Sequence, residues 1–173
     1  MTVNLYVRNE SACKRLCQRR GLQRIAQRVC EGEGVRDDVE VSVLLCGDAF
    51  IQSLNREYRG TDRPTDVLAF AQDAAPGRGA VCLGDIVISL ETVGRNCAGD
   101  RAVMRDEVRL LLCHGLLHLL GHDHATGRDR KQMAAKQALY LGLGSGDAWP
   151  EAPTPRTGHG GRSRRGGLRH FGR

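Results

Sequence analysis

Three histidines in the second half of the chain have the spacing of a metal site. His114 and His118 are four residues apart in a leucine-rich segment of a predicted helix over residues 101–120, so their imidazoles lie on one helix face about one turn apart. Gly121 permits a sharp turn that brings His124 back toward the other two. Three neutral histidines leave a fourth position of a zinc ion open to water, as in catalytic zinc sites. We therefore expect one Zn²⁺ per chain.

A purely structural role for these histidines is hard to reconcile with their surroundings. Each would need a buried hydrogen-bond partner inside an apolar segment, because an unpaired buried polar group is costly. His122 is a competing ligand. Because it directly precedes Asp123 and His124 and has less reach, we interpret it as a supporting or exposed residue. Cys113 points away from its neighbour His114 and is expected in the core.

The residue that follows the first histidine limits the possible reaction. Zinc proteases with the same histidine spacing carry a glutamate there, which acts as the general base. This chain has Gly115, which cannot accept a proton. Peptide hydrolysis is therefore disfavoured, and a hydrolytic site would need the metal site itself, Asp123 or a substrate phosphate to take that role.

The elements that must position these residues alternate between strands and helices. Apolar periodicity predicts strands at residues 3–8, 39–46, 67–71 and 83–90. It also predicts helices at 11–31, from an N-cap at Asp48 to Tyr58, at 91–97, at 101–120 with Asp100 as N-cap, and from a Thr126–Asp129 capping box to Leu141. The predicted class is α+β, a single domain in which a small mixed sheet of about four strands packs with about five helices.

Charge and composition divide the chain into two parts. Its 173 residues suit one domain, with a net charge of +6. Residues 1–142 form the predicted domain, whereas residues 143–173 are rich in Gly, Pro and Arg, lack periodicity and predict a disordered basic tail. Residues from 147 onward supply +4 of the net charge. The basic excess is therefore weak evidence for an anionic partner of the domain itself.

The cysteines and the apolar runs indicate the cellular setting. Seven cysteines form no Cys-x-x-Cys pair, and the N-terminus has no apolar signal segment. Both features are typical of reduced thiols in a cytosol-like compartment, so a cytoplasmic location is expected. No apolar run approaches the roughly 20 residues of a membrane span.

Three blocks of sequence carry a family resemblance. They are the histidine block from His114 to His124, the block Asn55-x-x-Tyr58-Arg59 followed by Pro64-Thr65-Asp66-Val67-Leu68, and Leu83-Gly84-Asp85-Ile86-Val87-Ile88-Ser89. These blocks occur along the chain in the order of the YbeY-type endoribonucleases, a family of bacterial rRNA maturation factors, which the chain resembles over most of residues 1–142. Two positions depart from the family pattern. His122 stands where Tyr or Phe is usual, and Leu68-Ala69-Phe70-Ala71 stands where Ser and then Pro are usual.

The resemblance implies a zinc-dependent endoribonuclease specific for single-stranded RNA, which acts in 16S rRNA 3′-end maturation and ribosome quality control. It implies a zinc site at one end of a basic cleft, with His114, His118 and His124 as ligands. His114 and Arg59 are the implied catalytic residues, and a guanidinium suits phosphate binding. The implied partners are the 16S rRNA precursor and the ribosome, with ribosomal proteins and a ribosome-associated GTPase, rather than DNA or a membrane.

Two alternative functions remain at this point. One is a non-enzymatic ribosome-assembly factor that binds rRNA and uses zinc structurally. The other is a metalloprotease-like hydrolase, which Gly115 opposes.

Asp66 and Asp85 are expected to be structural, either bonding the backbone or orienting a ligand.

Overall fold

The structure is a computed structural model that describes residues 1–72, 79–124 and 126–143. Strands and helices are interspersed along the chain, as the apolar periodicities predict. In chain order the elements are β1 (Val3–Asn9), α1 (Arg19–Gly32), β2 (Val39–Cys46), α2 (Asp48–Arg59), β3 (Val67–Ala71), β4 (Val81–Ser89), α3 (Leu90–Asn96), α4 (Arg101–Leu119) and α5 (Gly127–Leu141).

The four strands form one mixed sheet in the order β1-β2-β4-β3. β1 pairs with β2 and β2 with β4 in parallel, whereas β3 pairs with β4 in the antiparallel direction. The β2–β4 register shifts at Gly84, which has a φ of +135° and whose added Cβ would lie 2.0 Å from the Phe70 carbonyl oxygen. Only glycine fits this bulge. The predicted α+β class with a small mixed sheet is confirmed.

Helix α4 lies in the main core on one face of the sheet. The inward-facing residues of β2 alternate along the strand, as expected for a strand with one face on the core. From Leu110 to Leu119 every residue of α4 is buried, because the helix contacts α1, α3, α5, β3 and β4. Helix α2 packs on the opposite face through Ile51, against Leu68 and Val87. The two histidines of α4 therefore enter the core with the helix that carries them.

Two predicted helix starts are wrong. The first helix begins at Arg19 rather than near Ser11, because Arg15 has a positive φ of 57° and the preceding residues turn back on Asn9. The Asn9 side chain accepts a hydrogen bond from the Ser11 hydroxyl and donates one to the Cys13 carbonyl. Asp48 is the first residue of α2 rather than its N-cap, which is Gly47.

The other helix starts agree with the sequence. Asp100 caps α4 by accepting hydrogen bonds from the Ala102 and Val103 amides. Thr126 and Asp129 form the predicted capping box of α5. The predicted tail lies outside the described residues apart from Leu143, so its disorder stays a prediction. None of the described helices is both long and apolar enough to cross a membrane.

Candidate metal centre

The three histidines predicted as ligands lie together at the C-terminal end of α4. The Nε2 atoms of His114 and His118 are 3.0 Å apart, and one donor nitrogen from each of the three rings lies within 4.8 Å of the others. His114 and His118 are buried, with 7% and 3% of their surface exposed, and His124 is half-buried. The three nitrogens therefore face one common point at the edge of the core.

A tight turn after α4 brings His124 back to this point. The helix ends at Leu119, and Gly121 adopts a φ of +91°, which favours glycine. The His122 amide donates a 3.0 Å hydrogen bond to the Leu117 carbonyl, which folds the chain back over the helix end. The Asp123 carboxylate accepts a 2.7 Å hydrogen bond from the His124 amide and so fixes the last step of the turn.

The ring of His118 is held in the tautomer that a metal ligand needs. Its Nδ1 atom donates a 2.7 Å hydrogen bond to the His122 carbonyl. A carbonyl oxygen can only accept, so the proton is on Nδ1 and the Nε2 lone pair points toward His114. Burial lowers the pKa of His118 to about 4, so the ring is neutral near pH 7. Metal-bound histidines commonly donate their second nitrogen in this way.

The donor set fits a transition metal. In a tetrahedral zinc site with Zn–N bonds of 2.0–2.1 Å, the nitrogens are about 3.3 Å apart. The 3.0 Å separation of two donors and the 4.8 Å limit for all three are compatible with that spacing after small side-chain movements. Imidazole nitrogens suit zinc and other transition ions rather than magnesium or calcium. His114, His118 and His124 can thus hold one metal ion.

Arg59 lies close enough to the histidines to influence them electrostatically. It is the last residue of α2, and its positive charge contributes to the lowered pKa of His118. Burial lowers the pKa of the half-buried Arg59 itself, and the negative charge of Asp66 opposes that shift. The centre therefore combines three neutral nitrogen donors with one guanidinium.

The loop after Arg59 is fixed by its own hydrogen bonds. Gly60 ends α2 in the left-handed conformation. The buried Asn55 side chain donates a 2.7 Å hydrogen bond to the Arg63 carbonyl, and its backbone carbonyl accepts one from the Thr61 amide. Asp66 is buried and accepts a 2.8 Å hydrogen bond from the Val67 amide at the start of β3.

The family model described as endoribonuclease YbeY matches residues 6–143 of the chain. The chain belongs to the endoribonuclease YbeY family. This confirms the resemblance that the three sequence blocks carry.

Individual relatives agree with the YbeY assignment. The chain is 50% identical over 103 residues to the endoribonuclease YbeY of Anaeromyxobacter sp. (strain Fw109-5), covering 60% of this chain and 53% of that protein. It is 44% identical over 125 residues to the endoribonuclease YbeY of Pelotomaculum thermopropionicum, covering 70% of this chain and 82% of that protein. The chain thus spans about half the length of the first relative and most of the second.

A solved structure has the same fold. The solution structure of TM1509 from Thermotoga maritima superposes with a TM-score of 0.52 at 27% identity, covering 88% of this chain and 99% of that one.

Gly115 packs closely against the sheet. A Cβ atom at this position would lie 3.0–3.2 Å from three carbon atoms of Ile86 on β4. A side chain at this position, such as the glutamate base of the zinc proteases, would require Ile86 to shift by a few tenths of an ångström.

Asp66 and Asp85, both expected to be structural, lie in different parts of the fold. Asp66 bonds the backbone, as expected, beside Arg59. Asp85 lies on the α2 face of the sheet, accepts a hydrogen bond from Gln72 and lines a groove of about 850 Å³ together with Tyr58. Cys113 is fully buried, as predicted, and all seven cysteines are free.

Sequence reasoning missed Glu33, which lies just after α1 beside the histidine turn. Its carboxylate bonds the His122 ring at 2.7 Å, accepts hydrogen bonds from Lys136 at 2.7 and 2.9 Å, and accepts another from the Tyr140 hydroxyl. Burial by itself would raise the pKa of Glu33, but these hydrogen bonds lower it to about 2. The His122 ring therefore bonds Glu33 and lies outside the donor cluster.

The only feature of the sequence that points to the position of Glu33 is Gly32, the residue before it. An added Cβ at Gly32 would lie 2.3 Å from the Tyr140 ring, so glycine is required for Tyr140 to pack there and reach Glu33. That requirement becomes visible only once α1 and α5 are in contact.

Proposed function

We propose that this chain is a zinc-dependent endoribonuclease that cleaves single-stranded RNA in late 16S rRNA 3′-end maturation and ribosome quality control. Membership of the endoribonuclease YbeY family supports the reaction class. The observation that carries the proposal is the convergence of the His114, His118 and His124 nitrogens within 4.8 Å, next to the charge of Arg59.

The three histidines would hold the ion, and different parts of the structure keep them in position. His114 and His118 are held by the buried end of α4, whereas His124 depends on the turn that Gly121 and Asp123 shape. His118 keeps its proton on Nδ1, so its Nε2 stays available as a donor. A zinc ion in such a site supplies a Lewis acid and lowers the pKa of a water molecule to about 7.

Arg59 would hold the RNA phosphate. A guanidinium can donate two parallel hydrogen bonds to phosphate oxygens and can offset the negative charge that develops during cleavage. It is half-buried and feels the negative charge of Asp66, and part of it stays accessible. Gly115 cannot accept a proton as the base of a peptide hydrolase does, which favours RNA over protein as the substrate.

The first experiment compares substrates on the metal-replete protein. Single-stranded RNA, duplex RNA and casein are incubated with the wild type, His114→Ala, Arg59→Ala and Arg56→Ala. Arg56 is the matched control because it is an exposed arginine on the same helix that pairs with Asp62. We expect cleavage of single-stranded RNA by the wild type and Arg56→Ala alone.

Each other outcome has a defined meaning. Cleavage that survives both His114→Ala and Arg59→Ala contradicts the site assignment. Zinc binding and rRNA binding without cleavage would favour the non-enzymatic assembly factor. Casein cleavage would favour the metalloprotease-like hydrolase.

The biological role needs a test in cells. Depleting the protein from its host should lead to accumulation of 16S rRNA precursors with extended 3′ ends, which RNA sequencing of the ends measures. Wild type and Arg56→Ala should restore the mature end, and Arg59→Ala should not. A normal 16S 3′ end after depletion would contradict the maturation role while leaving the nuclease activity open to the first experiment.

A further inference from the structure

Glu33 joins three parts of the fold around one carboxylate. It follows α1, bonds Lys136 and Tyr140 of α5, and bonds the His122 ring in the turn after α4. Only 10% of its side chain is exposed. Hydrogen bonds between a carboxylate and charged donors are among the stronger ones in proteins. The Glu33 carboxylate is therefore a fixed point against which the turn is held.

His122 passes this restraint to a metal ligand through two different atoms. Its ring nitrogen bonds Glu33 at 2.7 Å, and its backbone carbonyl accepts the 2.7 Å hydrogen bond from Nδ1 of His118. Gly121, just before it, has no Cβ atom to restrict its backbone, and an added Cβ there would meet no other atom within 4 Å. The bond from the His122 ring to Glu33 thus holds a turn whose backbone Gly121 alone would leave free to adopt other conformations.

We propose that Glu33 is a positioning residue of the metal centre, which fixes the His122 carbonyl and, through it, the orientation and tautomer of His118. This inference rests on the proposed metal site.

Lys136 and Tyr140 explain why the carboxylate stays in place. Lys136 donates to both carboxylate oxygens, and Tyr140 donates to the oxygen that His122 does not use. Among the hydrogen bonds of the described residues, neither Lys136 nor Tyr140 bonds His122. Replacing Lys136 or Tyr140 should loosen the carboxylate without removing the Glu33–His122 bond. Such variants therefore distinguish a loss of protein stability from an effect on the position of the histidines.

The test is zinc affinity, measured by competition with a chromogenic chelator on the full chain. Outer-shell partners of ligating histidines are worth roughly 10–100-fold in metal affinity. We expect His122→Phe and Glu33→Leu each to weaken zinc binding about tenfold. The double variant should be no weaker than the weaker single variant, because both remove one link. Glu33→Gln, which keeps an acceptor oxygen, should recover part of the affinity.

A second readout reports the ligands directly. The visible spectrum of the Co²⁺-substituted protein should shift in His122→Phe and Glu33→Leu relative to the wild type. The control is Asp48→Asn, because Asp48 is a mostly buried carboxylate that bonds Ser89, Thr92 and Arg95. It should lower thermal stability without changing zinc affinity or the cobalt spectrum. His122→Phe keeps the other bonds of Glu33, so it is the variant that decides if Glu33→Leu does not fold.

The outcomes distinguish this inference from the proposed function. Wild-type zinc affinity and an unchanged cobalt spectrum in His122→Phe would overturn the role of Glu33. Additive losses in the double variant would also overturn it, since the two residues would then act separately. A wild-type protein that binds no zinc would instead overturn the proposed function, and RNA cleavage plays no part in the decision.

Discussion

The histidine side and the arginine side of the centre are both built at helix C-termini, but the two ends differ. The histidine side comprises the last turn of α4 and residues 120–124, and the arginine side comprises the last turn of α2 and the loop 60–66. Helix α4 is buried around its whole C-terminal half, whereas α2 buries Ile51 and Asn55 and leaves much of its other face exposed. One side is fixed by the core and the other is accessible from outside.

This difference matches two separate tasks. Donors for a metal ion must keep their separations within a few tenths of an ångström, which a packed helix can ensure. A phosphate-binding arginine must meet a substrate that comes and goes, so partial exposure is useful. We therefore expect changes on the histidine side to affect metal content and changes on the arginine side to affect turnover alone.

The largest expected effect is the loss of a buried ligand. His118→Ala should reduce zinc from about one ion per chain to nearly none and abolish RNA cleavage, because two donors remain. Elemental analysis of the purified protein measures the first effect. A stoichiometric zinc content in this variant would show that the histidine side is not the metal site.

Arg59→Ala should separate the two sides. Removing one preorganised donor to developing charge typically costs about 10²–10³-fold in kcat, and zinc content should stay at the wild-type level. Arg59→Lys should recover only part of the rate, since lysine lacks the bidentate fork. Single-turnover cleavage of a short RNA measures the rates. A parallel loss of zinc would mean that the two sides form one structural unit.

Gly115→Ala tests how tightly the histidine side is packed. The added Cβ would meet Ile86 at 3.0 Å, and overpacking of this kind costs roughly 1–3 kcal/mol in the free energy of unfolding. Gly21→Ala in α1 is the matched control because its Cβ would meet no atom within 4 Å, so it should stabilise the protein by about 0.5–1 kcal/mol. Urea unfolding gives both values. Equal stability of the two variants would contradict the close contact of α4 with β4.

The last prediction concerns the response to acid, which is confined to a narrow pH window. The pKa of Glu33 falls from 4.5 to about 2 on folding, so its contribution is complete above pH 4.5 and is lost as the pH falls toward 2. Glu33→Gln should therefore flatten the dependence of the free energy of unfolding on pH in this window. Urea unfolding at several pH values between 2 and 6 measures it. An unchanged slope would mean that the network does not hold an ionised carboxylate.

The histidine side could be predicted from the sequence because its geometry is local. Helical periodicity alone places His114 and His118 on one face, and Gly121 and Asp123 shape a turn of only a few residues. Arg59 was predicted through the family blocks, because nothing local indicates that the end of α2 comes close to α4.

Two features could not be predicted, for different physical reasons. Glu33 is 89 residues from His122, and the contact depends on the packing of α1 beside α4 and α5. The predicted helix over residues 11–31 is wrong for residues 11–18 because periodicity records burial rather than backbone conformation. Leu16 is buried and Cys13 and Cys17 pack on the core, but they do so from an irregular segment.

The continuous burial of α4 also sets the order in which the three histidines can detach from a bound ion. Buried helices of a core open only when most of the domain unfolds, whereas short turns open far more often. His114 and His118 belong to the first kind of segment and His124 to the second. Detachment should therefore begin at His124, so the lifetime of the bound metal follows the opening rate of a five-residue turn rather than the stability of the fold.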